Sequence, residues 1–424
     1  MKEDFLHYIW KHQMFSKRNL VTIDAKKVII RNVGLHNHNS GPDFFNAKIE
    51  IEDLVWAGNV EIHVKSSDWY LHAHENDVNY DTVVLHVVWE DDVEIFDKNN
   101  QPLPTIEISN FISNDVLENY NRLFSKELRW IPCERLINSV DSFVMNNWKM
   151  RLYFDRLEAK SKLIDNLLLA SNNDYEAVLF TLLMKNFGLK INGDSFLNLA
   201  NSIDFSIIRK EQNDVLKLNA LLFGQAGFLD THIEDVYYLK LKSEYRYLKQ
   251  KYSLVSVANG QFQFFKMRPS NFPTIRIAQI VAMYHRHQSL FSKLMSFTRL
   301  EEFYELFHVL LNEYWQTHYT FNKTSPKKVK RITKRFVDLL LINTIIPLKF
   351  NHLKNLNMNI DEDFLSFLKM IKAEKNAIVS KFSDLKIKAD NAFDSQALLE
   401  LKNNYCAKKR CLHCAIGNSL LRKA

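Results

Sequence analysis

A change of period near residue 110 constrains this chain more than any other feature. Before that point the apolar residues come in short β-branched runs: Val28 to Val33, Ala47 to Leu54, Asn59 to Val64, Val83 to Trp89 and Thr105 to Ile108. Partial alternation within them is the period of strands with one buried face. Asn37 to Pro42 and Asn99 to Pro104 carry turn chemistry. Ahead of the strands, Asp4 to Phe15 spaces Phe5, Ile9 and Trp10 as one face of a short amphipathic helix. From about Asn114 the period becomes helical. The stretches are Val144 to Ala170, Tyr175 to Phe187, Glu211 to Phe223, Ile233 to Tyr252, Thr274 to Thr298, Leu300 to Tyr319, Lys327 to Ile345, Glu362 to Phe382 and Asp394 to Tyr405. They share no fixed repeat, which excludes a helical solenoid. The pattern predicts an α+β domain over residues 1–112, a larger mainly α-helical region over 113–405, and a cysteine-containing tail over 406–424 that packs on the helical body.

Composition supports a folded chain with two or three cores, since 46% of the 424 residues are hydrophobic and 25% charged. Nine Gly and eight Pro are too few for long linkers or a turn-rich all-β fold. The start, MKEDFLHYIWKHQMF, carries acids and no long apolar core, unlike a secretory signal. The most apolar stretch, Val337 to Pro347, is too short for a bilayer and contains Asp338 and Asn343. The expectation is a cytoplasmic protein with no membrane partner. Charge is divided unevenly: residues 1–110 hold 10 Lys and Arg against 18 Asp and Glu, a net of −8, and the remainder holds 46 against 31, a net of +15. An acidic head suits metal ligation, and a basic body suits a polyanion such as nucleic acid, although solvated Lys-rich helix faces give the same imbalance.

The chemistry-bearing residues concentrate between Ser40 and His86. Ser40-Gly-Pro-Asp43-Phe precedes a hairpin whose second strand reads Val60-Glu61-Ile62-His63-Val64-Lys65. Alternation puts Glu61, His63 and Lys65 on one face. Acid, imidazole and amine beside Asp43 make a metal-assisted hydrolysis site, with Mg²⁺ or Mn²⁺ activating water and neutralising a phosphate. A half-buried strand with a solvated polar face would show the same alternation. Six of the fifteen histidines fall between His36 and His86: His36, His38, His63, His72, His74 and His86. His72-x-His74-x-x-Asp77 offers two imidazoles and a carboxylate to zinc, and Ser67-Asp68 offers a helix cap.

Pro42-Asp43, followed 18 residues later by a polar strand face ending in Lys65, resembles the PD-(D/E)xK nuclease superfamily. The resemblance covers the head and implies a mixed, restriction-endonuclease-like sheet and metal-dependent cleavage of DNA or RNA. One departure stands out. The superfamily places a carboxylate two residues before the lysine, where this chain has His63. Four strand residues span roughly 13 Å and two roughly 7 Å, so Glu61 and Lys65 are poorly placed to share an ion. The preferred set is Asp43, Glu61 and His63 with Lys65 at the rim; the other is Asp43, His63 and Lys65. An imidazole ligand tilts preference toward Mn²⁺ or another transition metal. The departure leaves two further readings open: a zinc-dependent hydrolase on His72, His74 and Asp77, and a non-catalytic nucleic-acid-binding protein with a degenerate nuclease-like fold.

Two constellations lie outside the head. Cys406-x4-Cys411-x2-Cys414, with Cys133 the fourth cysteine, suggests metal rather than disulfide in a reducing compartment. Cys133 or His413 completes the set, giving Zn²⁺ or, with Cys133, an iron–sulfur cluster; buried reduced thiols are the plain alternative. Some nucleases of the superfamily it resembles also staple their fold with four cysteines, although there the lone cysteine precedes the nuclease motif. Lys327, Lys328, Lys330, Arg331, Lys334 and Arg335 crowd six cations onto an expected helix, either a nucleic-acid surface or a solvated face. Arg268, Arg276 and Arg286 form a second, sparser anion surface. Ser40-Gly-Pro-Asp-Phe, Gly58-Asn-Val-Glu-Ile-His, Ser67-Asp-Trp, Leu85-His-Val-Val, Arg268-Pro-Ser-Asn-Phe-Pro-Thr-Ile-Arg-Ile-Ala and Cys411-Leu-His-Cys together resemble the domain-of-unknown-function 2851 family. That resemblance implies a bacterial source and carries no activity or site residue.

Overall fold

Helix α1 (Glu3–His12) forms because its apolar residues fall on one stripe: Phe5, Leu6, Ile9 and Trp10 are all fully buried. Acidic residues in its first turn and basic ones in its last match the helix dipole. Trp10 Nε1–H donates to the Val33 carbonyl at 3.1 Å, fixing the helix to the sheet that follows. This computed structural model describes residues 1–125, 127–255, 262–358 and 362–423. The chain divides into two units, residues 1–148 with 401–424, and residues 149–400.

The first unit is built on β1 (Val28–Asn32), β2 (Leu35–His36), β3 (Phe44–Ile51), β4 (Leu54–Lys65), β5 (Val83–Glu90) and β6 (Thr105–Glu107). Their order is β1-β3-β4-β5-β6, with β2 also paired to β3. The β1–β3, β2–β3 and β3–β4 pairings are antiparallel, and β4–β5 and β5–β6 are parallel, so the sheet is mixed. All five expected strands are present. Strand β2, two residues long, is too short to show a period. The main shift is at the hairpin, where Glu52 adopts φ +56° and turns the chain three residues earlier than the apolar run suggests.

Two irregularities of this hairpin position the site. A bulge between Phe44 and Ala47, with Asn46 at φ +56°, lets Ala47 pair with Gly58 while Phe44 pairs with Val60. Asp43, one residue earlier, therefore comes opposite Glu61. Gly58 sits where β5 approaches closely: a Cβ there would lie 2.4 Å from Val84 Cγ1 and 2.6 Å from the Thr82 carbonyl. The parallel β4–β5 pairing requires a crossover. It contains α2 (Asp68–Leu71) and two single turns, His74–Asn76 and Val78–Tyr80. Buried Trp69 pins this crossover by packing with Val83 and Ile95, flanked by Tyr80 and Leu103.

After β6, α3 (Asn114–Leu123) stacks Tyr120 on Phe5 of α1 at 3.9 Å between ring centroids. The composition changes near residue 112 because the sheet ends there, but the unit continues through α3 to Trp148. The tail over 406–424, expected to pack on the helical body, instead belongs to this first unit together with residues 401–405. The tail's last helix, Ala415–Leu421, packs against α3.

The second unit is helical. Tyr175–Phe187 forms as expected, with Asp174 accepting from the N–H groups of Glu176 and Ala177; the helix Leu189–Asn201 is additional. The long expected stretch Thr274 to Thr298 is broken into Pro273–Arg286 and Leu290–Ser296, with Ser289 at φ +52° between them. Leu300 to Tyr319 is likewise divided into Leu300–Leu306 and Glu313–Thr317, and a hairpin begins at His318. Lys334–Asn355 is long and apolar enough to cross a membrane, and 67% of its most apolar window is buried.

Replacing Gly58 with Ala should destabilise the first unit by about 1–3 kcal/mol, because the added methyl meets backbone as well as Val84. Urea unfolding checks this, and an unchanged midpoint would show that β4 and β5 separate more easily than their spacing implies.

Candidate metal centre

The site begins with a carboxylate pair. Asn37 organises the loop before β3: its N–H donates to the Asp43 carbonyl at 2.7 Å, and its side-chain amide donates to the carbonyls of Asn39, Ser40 and Pro42. Asp43 is thereby presented to β4. The Asp43 N–H donates to Glu61 Oε2 at 3.1 Å, and the Ile62 N–H donates to Asp43 Oδ2 at 3.0 Å. From α1, His7 Nε2 lies 3.1 Å from Asp43 Oδ2 and 3.7 Å from Glu3 Oε1. Thus α1, β3 and β4 each deliver part of one polar cluster.

The crossover delivers the rest. Ala73, at φ +57°, reverses the chain after α2 and turns His74 inward. His74 Nε2 and His63 Nε2 lie 3.4 and 3.5 Å from Glu61 Oε1. His72 Nδ1 is 3.2 Å from His63 Nε2, and His63 Nδ1 is 2.9 Å from His86 Nε2. The second pair fixes the His63 ring through its far nitrogen, as an outer partner does for a metal-bound imidazole. His74 stacks on Tyr80 with centroids 3.7 Å apart. One nitrogen from each of His63, His72 and His74 falls within a 4.8 Å sphere of mutual distances. Glu61, His63, His74 and His86 are buried, while His72 is exposed.

Burial controls the electrostatics. It pushes the Glu61 carboxyl up to about 9, reinforced by the charge of Asp43. It pushes His63 down to about 3, helped by His74 and His72, and it also lowers His74 and His86. Burial, the largest single influence on His7, opposes its charge, but the nearby carboxylates of Asp43, Glu3 and Asp4 together outweigh it and the net shift is upward. The result is three buried neutral imidazoles, His63, His74 and His86, around a buried acid. Neutral imidazole and carboxylate are the donors of zinc, manganese and related ions.

The remaining expected residues lie elsewhere. Lys65 is exposed at the end of β4, its Nζ 3.4 Å from both Glu90 and Asp92. Asp77 caps the turn after it, accepting from the N–H and side-chain amide of Asn79 at 2.9 and 2.8 Å. It is His63 and Glu61 that stand beside His72 and His74. Ser67 makes no cap; its hydroxyl donates to Asp92 at 2.9 Å. Glu3 and His7 escape sequence reasoning because only the tertiary fold brings α1 to Asp43. His86 belongs to the histidine concentration but had no assigned part.

The basic run of the second unit is not one helical face. Lys327 to Thr333 is irregular, and the helix starts at Lys334, where Thr333 caps it. Lys330 is buried, donating to the carbonyls of Trp315 and Gln316 and lying 4.2 Å from the Tyr319 ring centroid. Lys327, Lys328, Arg331, Lys334 and Arg335 are exposed. Arg276 is a core residue, bonded to Gln279 and Asn271 and stacked 3.6 Å from the Phe336 centroid, which removes it from any anion surface.

A family model described as "Protein of unknown function (DUF2851)" matches residues 3–377, and the chain belongs to that family. No curated protein and no solved structure matches it.

In metal-free protein, Glu61 binds its proton far more tightly folded than unfolded, where its ordinary value is 4.5. Its stabilising contribution is complete below about pH 4.5 and is lost as pH rises towards 9. Glu61→Gln cannot titrate, so it should lack this share of the decline. Thermal unfolding in chelator across that window measures the difference, and parallel wild-type and variant curves would contradict the shift.

Proposed function

We propose that the first unit is a metal-dependent phosphodiester hydrolase whose ion is held by Glu61, His63, His72 and His74. The observation carrying this reading is the convergence of three imidazole nitrogens and a carboxylate from one strand and the following crossover. The mixed sheet, with a helix before its antiparallel strands and a crossover before its parallel ones, supports a restriction-endonuclease-like head. In that reading Asp43 and Glu61 are the acid pair and His63 takes the position where the superfamily has a carboxylate two residues before its lysine. The three-histidine set favours Mn²⁺ or Zn²⁺ over Mg²⁺, which takes oxygen ligands.

A dication at this centre would acidify a bound water and neutralise a phosphoryl oxygen. Asp43, beside Glu61 and with its Oδ2 3.1 Å from His7 Nε2, is the residue assigned to accept the water's proton. The approach is from the side of His72, which is exposed, and Glu3, which is partly accessible. Lys65 has no part in the reaction, because its ammonium is already held by Glu90 and Asp92.

The test is hydrolysis of bis(p-nitrophenyl) phosphate and of single- and double-stranded DNA and RNA with Mn²⁺, Zn²⁺ or Mg²⁺. Asp43→Asn and Glu61→Gln should each lose about 10²-fold or more in rate, whereas Lys65→Ala should retain wild-type turnover. Equal activity of wild type and Asp43→Asn would remove the proposal, as would wild-type protein that binds metal without cleaving any of these substrates. The last outcome selects a second reading, a non-catalytic metal-bound head, favoured by the burial of Glu61, His63 and His74.

The partner we assign is nucleic acid, held in the second unit by Lys327, Lys328 and Arg331. Replacing all three with Ala should flatten the dependence of log Kd on log salt by roughly 0.9 per lost duplex phosphate contact. Fluorescence anisotropy with a labelled duplex measures this slope, and an unchanged slope would leave these cations as solvated surface.

A further inference from the structure

A groove of about 810 Å³ follows the β3–β4 hairpin of the first unit, beside the carboxylate pair. Side chains alternate along a strand, so Asn59 shares the face of Glu61 and Phe45 shares that of Asp43. Both line the groove, roughly 7 Å along their strands from the two acids. Groove and site are thus consecutive stretches of one face. Followed along β4, the groove comes first, then Glu61, then His63 with exposed His72 beside it.

The groove differs in chemistry from its surroundings. Residues 1–110 carry a net charge of −8, yet no Asp or Glu lines it, and its one Lys or Arg is Lys48. The next acid on that face of β3, Glu50, is answered by Arg31 at 2.6 Å. Part of the lining is committed to the frame. Asn37 holds the loop before β3, and Asn59 donates to Thr82 Oγ1 at 2.7 Å while accepting from the Asn46 N–H at 3.2 Å. The other polar side chains are open to a ligand. Asn39, Asn46 and Lys48 are exposed, and among the described residues Asn39 and Asn46 form hydrogen bonds through their backbones alone. The bulge that brings Asp43 opposite Glu61 also turns out Asn46, at φ +56°. His36 lies flat on buried Phe44 with centroids 4.8 Å apart, and His38, at 4.3 Å from His36, ends this row of rings in the groove wall.

We propose that the groove receives an unpaired nucleic-acid strand and leads it to the metal centre, so that the first unit selects single-stranded over duplex substrates. Its cleavage rests on the hydrolase reading; its binding does not. A duplex is gripped through many phosphates, which one lysine cannot supply. An unpaired strand presents base edges to amides and base faces to rings. Asn39 and Asn46 offer the amides, His38 the ring, and Lys48 meets a phosphate. With no carboxylate in the lining, the backbone meets no repulsion before Asp43 and Glu61.

Binding is measured on the full chain in chelator, where it is read without cleavage. Fluorescence anisotropy compares a labelled single strand with its duplex, on wild type, Asn46→Gly/Lys48→Gln and His38→Ala. Glycine keeps the positive φ of the bulge, and His38→Ala leaves the hairpin untouched. The single strand should bind each variant roughly tenfold more weakly, while duplex affinity should change by less than about twofold. An equal loss for the duplex, or no loss for the single strand, would overturn the proposal. Bis(p-nitrophenyl) phosphate, which offers a scissile group without a strand, judges the hydrolase reading separately. Its turnover alongside unchanged single-strand affinity in the variants removes the groove alone. Weakened single-strand binding without any turnover by wild type keeps the groove and removes the hydrolase.

Discussion

Burying a carboxylate inside a sheet is costly unless its surroundings answer it, and Glu61 is 4% exposed near the middle of β4. The architecture of the first unit follows from that demand. Asp43 donates its backbone N–H to one oxygen of Glu61, and two histidines approach the other. For Asp43 to do this, β3 needs its bulge at Asn46, since an unbroken ladder would offset the loop from β4. For His74 to do this, the crossover must reverse at Ala73 and be held down by Trp69. The acid is raised instead of being paired with a cation, so it remains available to one.

The same dry environment explains why histidine, not lysine, neighbours Glu61. A lysine at position 63 would have to bury its ammonium among His72, His74 and His86, with one carboxylate to answer it. An imidazole gives up its charge more readily and then becomes a ligand. Lys65, two residues on, has already left the buried part of the strand, where Glu90 and Asp92 receive it. The conservation of charge that a sequence motif suggests is thus redistributed: a neutral donor inside and a cation outside.

Much of this was legible in the sequence, and the failures have physical causes. The spacing of Phe5, Ile9 and Trp10 gave α1 because its whole apolar stripe is buried. Strand alternation put Glu61 and His63 on one face correctly. It could not tell that Lys65, on the same face, lies beyond the buried stretch, because alternation reports direction and not depth. Asp77 looked like a ligand by spacing, yet short-range turn chemistry claims its Oδ1 for Asn79. Lys330 looked solvated within a run of cations, but carbonyls of Trp315 and Gln316 and the Tyr319 ring bury it and prevent the expected helix from starting early. Glu3 and His7 carry no local signal at all, since their role arises only when α1 crosses β4.

The two clusters of soft donors in the first unit meet opposite requirements. The cysteines are closed off: each is buried, and all four line one small cavity. The histidine set keeps one exposed member, His72, and borders Asp43 and Glu3, which remain partly accessible. A set of donors with an open side is the kind that can exchange water or substrate. Arg422 lies beside Tyr8 and His12, so the C-terminal segment rests on the helix whose His7 reaches Asp43. The geometry of the acid pair is therefore supported from the far end of the sequence, a dependence that no local motif reveals.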